Sequence, residues 1–338
     1  MRRLSVLIPV RNQERYVELA IQSLLDQTYS DFDLVVVYDG STDETPRILE
    51  RIAARDDRVE IFLRPNRGLP ATRNELLQLA KTPFVAWLDS DDLATPERLE
   101  RQLDAMLADE ELLLLGTAMA SIDADGNVIK PINIIAGAKN VARGMARGCK
   151  VAQTSCMMRR EPVIALGGYR AAFTCAQDYD LFLRISERGK IDNLPFVGVH
   201  YREHGNTVTK QNNIMQNLLA DLARASHHRR LAGAPDPVDE LTQGPDLYNE
   251  PVLDEMLGEQ VNIYRALDRI TNGSGDPTEN LRTLIDNKPS RKQRQRCQQA
   301  ILGLLKTRDF DALSARALLR ATSLGPSRLL RQLISARA

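Results

Sequence analysis

The chain has 338 residues, a length that suits one large or two smaller domains. Its 43% hydrophobic and 27% charged residues are ordinary for a soluble globular protein. Formal net charge is zero, which excludes a global field that recruits nucleic acid, and no apolar run approaches the roughly 20 residues that span a bilayer.

The zero conceals an asymmetry. From Arg291 to Ala338 there are eleven Lys/Arg against Asp309 and Asp311, a net of +9, so the preceding residues carry −9. Cys149, Cys156, Cys175 and Cys297 show no CxxC spacing and read as buried fillers. Met1-Arg2-Arg3 leads straight into a strand-like run with no signal-peptide pattern, so a reducing cytoplasm is the expected setting.

Taken in chain order, Leu4–Val10 reads as a strand and Glu14–Leu25 as a helix with apolar Val17, Ala20, Ile21, Leu24 and Leu25. Phe32–Val37 is a second strand. Thr42 or Asp43 caps a helix that carries Glu44 and Pro46 in its first turn and runs to about Ala54. Val59–Leu63, Pro70–Ala80 and Phe84–Leu88 continue as strand, helix and strand. Such alternation of apolar strands with helices implies a parallel sheet covered on both faces. Thr95-Pro96-Glu97 is expected to cap and start a helix ending near Ala108. Leu112–Leu115 opens a further strand, Asp123-Ala124-Asp125-Gly126 a hairpin turn, Thr154–Met158 another strand and Tyr179–Arg188 a helix. Beyond about Met215 the pattern is almost wholly helical.

In open parallel sheets, ligands bind at the carboxyl ends of the strands. Here those ends read Pro9-Val10-Arg11-Asn12, Tyr38-Asp39-Gly40-Ser41, Arg64-Pro65-Asn66-Arg67-Gly68 and Asp89-Ser90-Asp91-Asp92. The last is the most informative. An apolar run stops abruptly in three carboxylates, and Asp89 and Asp91 are two apart. Close carboxylates raise each other's pKa, and a divalent cation removes the conflict. Oxygen-only ligands suit Mg²⁺ or Mn²⁺, which take remaining ligands from water and substrate phosphates. Read alone, Asp-Ser-Asp-Asp equally suits turn and capping chemistry.

The segments SVLIPVRN, VVVYDGSTDET, NRGLPATRN and FVAWLDSDD, in this order and spacing, resemble the donor half of family 2 glycosyltransferases. GGYRAAFTCAQDYDLFLR resembles the acceptor-side motif of that family, and HYREHGNTVT its histidine segment. The resemblance covers residues 3 to 210. It implies an α/β fold of the GT-A (Rossmann-like) type, a mostly parallel sheet flanked by helices. The catalytic domain would be 1–212, with a nucleotide-sugar half at 1–115 and an acceptor half at 116–212; a helical C-terminal region would occupy 213–338. The resemblance also carries site residues. Pro9 and Arg11 would border the nucleotide, Asp39 would bind uracil or ribose, and Arg73 would lie near base and diphosphate. Asp89 would be the first acid of the DxD motif, near ribose and metal; Asp91 would ligate Mn²⁺ or Mg²⁺, with His204 helping. Asp178 would be the catalytic base.

Each assignment has a simpler counterpart: Asp178 as a helix N-terminal acid, His204 as an exposed loop histidine, Asp92 as a cap. Two departures stand out. Tyr38 replaces the first of two adjacent acids after the second strand, and Gln177 replaces the glutamate common before the base. The only tryptophan is Trp87, so the Gln-x-x-Arg-Trp motif of processive synthases is absent and a single-addition enzyme is expected.

The implied function is an inverting, metal-dependent, non-processive transferase of the hexosyl or N-acetylhexosaminyl class. It would move sugar from a nucleotide-sugar, a UDP-sugar first of all, to a hydroxyl of a surface-glycan or lipid-linked saccharide. A sugar-phosphate nucleotidyltransferase and a non-catalytic nucleotide- or glycan-binding module of the same fold are the alternatives. Amphipathic stretches at 298–305, 313–319 and 329–334 read as a helical subdomain; the alternative is peripheral contact with the anionic inner membrane face. Homo-oligomerisation is left open.

Overall fold

The structure, a computed structural model, describes residues 2–203, 213–241 and 247–272, together with 279, 280 and 283. Met1–Gln211 with Ser226–Asp239 forms one compact unit, and Asn212–Ala225 with Glu240–Ala338 a second.

The first unit is built on a nine-stranded sheet: β1 Leu4–Val10, β2 Phe32–Asp39, β3 Val59–Arg64, β4 Phe84–Trp87, β5 Leu93–Ala94, β6 Leu112–Ile122, β7 Val128–Ile132, β8 Met157–Arg159 and β9 Lys190–Arg202. The strand order is β3-β2-β1-β4-β8-β6-β9-β5, with β7 beside β6. The first four strands pair in parallel, Leu4 opposite both Phe32 and Phe84 and Leu34 opposite Val59. β8 is antiparallel to β4 and β6, whereas β9 is parallel to β6. The parallel expectation therefore holds for the first half of the sheet, and the second half is mixed.

β1 is buried along its whole length because helices cover both faces. Leu4, Val6, Ile8 and Val10 join one core with Ile21 and Leu24 of α1 (Val17–Leu25), Leu49 of α2 (Thr45–Ala53) and Leu99 of α4 (Arg98–Ala108). On β1 and β2 also packs α3 (Leu69–Leu79). Each fully buried Leu or Ile contributes roughly 1.5–3 kcal/mol, so these strands are held chiefly by burial of their apolar side chains. The rest of this unit adds α5 (Ala138–Met145), a 3₁₀ turn (Gln153–Ser155), α6 (Arg160–Ala165) and α7 (Gln177–Ser186). Asp123–Gly126 makes the expected hairpin turn, with Gly126 N–H donating to the Asp123 carbonyl at 3.2 Å.

Three local expectations are corrected. The helix after the carboxylates begins at Arg98, because Leu93 and Ala94 are drawn into pairing with His200 and Val199 of β9. Thr95 caps nothing; its hydroxyl donates to the Val197 carbonyl at 3.0 Å. Thr154 lies in the 3₁₀ turn, and the strand there starts at Met157. The first helix starts at Val17; Glu14 instead uses its carboxylate to accept the Glu44 N–H at 2.9 Å.

Helices α8 (Asn213–Leu231), α9 (Pro251–Leu257) and α10 (Gln260–Asn272) follow. In the second unit the Tyr264 hydroxyl bonds the Asp221 carboxylate, and Arg265 pairs with Asp254 at 2.8 Å. Among the described residues, no helix is long and apolar enough to cross a membrane. His204 and the three amphipathic tail stretches lie outside the described residues.

Candidate active site

Because β1, β2 and β4 run in parallel, their carboxyl ends open on one rim. Pro9 lies within β1 opposite Val37, and Arg11 is exposed just beyond it. Asp39, the last residue of β2, is buried and points both oxygens at the loop after β3. Oδ1 accepts the Arg67 N–H at 2.8 Å, Oδ2 accepts the Gly68 N–H at 3.1 Å, and Arg64 pairs with it at 3.3 Å. Gly40 beside it has φ +65, and a Cβ there would lie 2.8 Å from the Asn66 nitrogen, so only glycine fits this turn. Tyr38, at the departing position, closes the same loop by donating its hydroxyl to the Ser41 carbonyl. Asp39 thus anchors the start of α3, the helix that carries Arg73.

Arg73 is buried in α3, and its Nη2 lies 3.3 Å from Asp89 Oδ1. The guanidinium also lies 6.0 Å from the Trp87 ring centroid and 5.6 Å from that of Tyr169; the two rings meet edge to face. Tyr169 is clamped to the neighbouring α3 residue. Asn74 Nδ2 donates to the Tyr169 carbonyl, and the Tyr169 N–H donates to Asn74 Oδ1, both at 2.7 Å. A Cβ on Gly168, with φ +65, would strike that Asn74 oxygen at 2.4 Å.

The acidic loop is held from behind. Asp89 N–H donates to the Thr154 hydroxyl at 3.1 Å. Arg202, the last residue of β9, donates its backbone N–H to Asp92 Oδ1 at 2.8 Å and its Nε–H to the Asp91 carbonyl at 2.9 Å. Its Nη1 reaches the Asp123 and Ala124 carbonyls at 2.9 and 3.1 Å. Beneath β4, buried Arg98 donates to the Trp87 carbonyl at 2.6 Å; burial lowers its pKa to about 10, so it stays charged at neutral pH.

The carboxylates feel one another. Burial raises Asp89, Arg73 opposes that shift, and the Asp91 and Asp178 charges add to it. Asp92 is pushed well above the usual carboxylate range by burial, then by Asp91 and Asp89. Asp178, in the first turn of α7, is half-buried, and its Oδ1 accepts the Tyr179 N–H at 2.8 Å. Arg73, Asp89, Asp91 and Asp178 therefore share one electrostatic neighbourhood, reached from α3, the loop after β4 and α7. Asp39 joins it through the α3 start, and His204 lies outside the described residues.

Asp92 carries a prediction. Its Oδ2 is buried with no hydrogen-bond partner among the described residues. A carboxyl whose folded pKa is raised costs stability as pH climbs above the unfolded value of about 4. Asp92→Asn keeps the acceptor for Arg202 and removes the charge. In chelator, its melting temperature should exceed wild type by a few degrees, ~1 kcal/mol, at pH 7. That advantage should vanish as pH falls to about 4. A variant that melts lower at pH 7 would show the charge to be stabilising.

Sequence reading missed Arg202, Thr154, Arg98 and the Trp87–Tyr169 pair around Arg73.

The comparisons bear on this arrangement. A family model described as "Glycosyl transferase family 2" matches residues 5–167. The O-antigen biosynthesis glycosyltransferase WbnJ of Escherichia coli is 32% identical over 211 residues, covering 61% of this chain and 82% of its own length. The chain belongs to glycosyltransferase family 2. The chondroitin synthase of Pasteurella multocida is 28% identical over 211 residues, 62% of this chain. This chain spans only 21% of the length of that synthase and of the P. multocida hyaluronan synthase. Among solved structures, S. aureus TarS 1-349 in complex with UDP-GlcNAc superposes with a TM-score of 0.59 at 18% identity, covering 99% of this chain and 91% of that one. The mannosyltransferase PcManGT from Pyrobaculum calidifontis, in complex with GDP-Man and Mn²⁺, has a TM-score of 0.50 at 17% identity, covering 99% and 83%. At such identities the likeness is one of fold, and it agrees with the GT-A architecture expected above.

Proposed function

We propose that this family 2 chain transfers a sugar, with inversion, from a nucleotide-sugar donor to a saccharide hydroxyl. The observation that carries the reading is the meeting of Arg73, Asp91 and Asp178 around Asp89, in the loop that follows parallel strand β4. A buried cation beside a pair of carboxylates suits a diphosphate and its counter-ion; a lone carboxylate across from them suits proton removal from an acceptor.

Arg73 supplies charge-assisted hydrogen bonds to the diphosphate. Asp39 and the loop it anchors border base and ribose, as do Pro9 and Arg11. Asp178 takes the acceptor proton as its oxygen attacks the anomeric carbon. A UDP-sugar is the favoured donor, in keeping with the UDP-GlcNAc named for the TarS structure. A surface-glycan or lipid-linked saccharide is the favoured acceptor, in keeping with the O-antigen role in the WbnJ name.

Three carboxylates in one loop, two of them raised by burial and then by neighbouring carboxylate charge, fit a divalent cation. Mn²⁺ or Mg²⁺ would be held by Asp91, with Asp89 beside it and His204 as a further ligand, and would supply positive charge to the leaving diphosphate. Among the described residues no three His, Cys, Asp or Glu form a ready-made cage.

The test begins with thermal-shift screening of UDP, GDP, TDP and CMP sugars with and without Mn²⁺, since a ligand that binds the folded state raises apparent stability. The donor that shifts melting most should release its nucleotide in the presence of Mn²⁺. Asp91→Ala should lose that release by about 100-fold or more while melting like wild type without metal. Wild type that binds UDP yet releases none from any UDP-sugar would be a nucleotide-binding module instead.

A further inference from the structure

Gln177 is the first residue of α7, immediately before Asp178, and it is buried. Its side chain meets one group that can only donate and two that can only accept. Arg73 Nη1 lies 2.8 Å from one end, and the carbonyls of Phe173 and Thr174 lie 3.1 Å from the other. A guanidinium has no acceptor and a carbonyl has no proton. The Gln177 oxygen therefore accepts from Arg73, and its NH₂ donates to both carbonyls. Glutamate would meet the arginine but set a carboxylate oxygen against the two carbonyls; methionine would satisfy none of the three.

The start of α7 needs such a fastening. Its N-cap is Ala176, with φ +55, and no side chain caps the helix. A left-handed alanine is strained and persists only where its surroundings hold it. The two carbonyls gripped by Gln177 belong to the loop that delivers the chain into this turn.

We propose that Gln177 is a positioning residue that couples the two sides of the site. Its oxygen orients Arg73, which faces Asp89 on the donor side. Its nitrogen fixes the start of α7, and with it Asp178, on the acceptor side. The inference rests on the glycosyl-transfer reading above. It adds that donor grip and base placement share one amide.

Gln177→Met and Gln177→Glu separate the two ends. Affinity for UDP with Mn²⁺ is measured by titration calorimetry, and kcat as UDP release from the donor chosen by the screen. Gln177→Met removes both functions; UDP affinity should fall about tenfold and kcat should fall as well. Gln177→Glu still accepts from Arg73, so UDP affinity should stay within about threefold of wild type while kcat falls by about tenfold or more through misplacement of Asp178. That split between affinity and turnover is not what a packing role produces. If both variants match wild type in affinity and kcat, or if both lose affinity, kcat and melting temperature in parallel, the coupling role is overturned. Wild type that binds UDP but never releases it from a sugar overturns the transfer reading alone, because the affinities still decide whether Gln177 orients Arg73.

Discussion

Asp178→Asn is expected to lower sugar transfer by about 10²–10⁴-fold, with UDP affinity and melting temperature near those of wild type. The reason is the difference between what the carboxylate does locally and what it does for an acceptor. Locally it accepts one hydrogen bond, from the Tyr179 N–H at 2.8 Å, and it places a negative charge in the first turn of α7. An asparagine oxygen keeps that hydrogen bond. Loss of the charge at the helix N-terminus costs about 0.3–1 kcal/mol. As a base, by contrast, an amide is useless, and a factor of 10²–10⁴ corresponds to about 2.7–5.5 kcal/mol of transition-state stabilisation. The two contributions differ several-fold, so the kinetic effect dominates and the structural one stays small.

The pattern of loss is informative too. A group that acts only in the transition state lowers kcat and kcat/KM equally. A residual rate above about a tenth of wild type would move the proton-accepting role elsewhere, since general base catalysis is worth more than that. Asp89 is an alternative, because the Asp178 charge acts on it.

Much of the first hundred residues was legible because its signals are local. β1, β2 and β4 are apolar runs buried on both faces, and Pro46 and Pro70 sit at helix starts. The polar strand ends then pointed to one rim, and Asp39, Arg73, Asp89 and Asp91 were found on it. What escaped is long-range. β9 mixes charged and half-buried residues and shifts register against β6 three times, so no period of two marks it as a strand. Arg202 reaches Asp91 and Asp92 across more than a hundred residues of sequence. Its only sequence signal was its place in HYREHG, beside the histidine that drew attention first. Trp87 and Tyr169 read as core aromatics; that they flank Arg73 follows from the Asn74 clamp, which no local pattern shows. Thr95 and Thr154 fit the propensity rules for a cap and a strand. Both were overruled by bonds to distant backbone, the Val197 carbonyl and the Asp89 N–H.

Asp180→Ala should be the most damaging substitution for stability, at about 3–5 kcal/mol, because it leaves buried charge uncompensated. Asp180 is fully buried, two residues past Asp178. Arg184 donates to its Oδ2 from Nε at 3.0 Å and from Nη2 at 2.8 Å, and Arg170 binds both of its oxygens. The guanidinium groups are in turn spent on the fold. Arg184 holds the Leu166 and Gly168 carbonyls at 2.8 and 2.6 Å, which fixes the loop that presents Tyr169 to Arg73. Arg170 also pairs with Asp236 at 2.9 Å and bonds the Ser226 hydroxyl at 3.0 Å. Burial acts to raise Asp236, but the Ser226 hydroxyl and the charges of Arg170 and Arg230 outweigh it and bring its pKa to about 2. A depressed carboxylate contributes stability that is present above the unfolded value of about 4 and is lost as pH falls toward 2. Wild type should therefore weaken across that window, and Asp236→Asn should weaken less steeply. Asp180→Ala is read by urea unfolding at pH 7, against a typical total stability of 5–15 kcal/mol. A loss under about 1 kcal/mol would mean that water or rearranged partners satisfy Arg170 and Arg184. The loop under Tyr169 would then owe its place to packing rather than to this ion cluster.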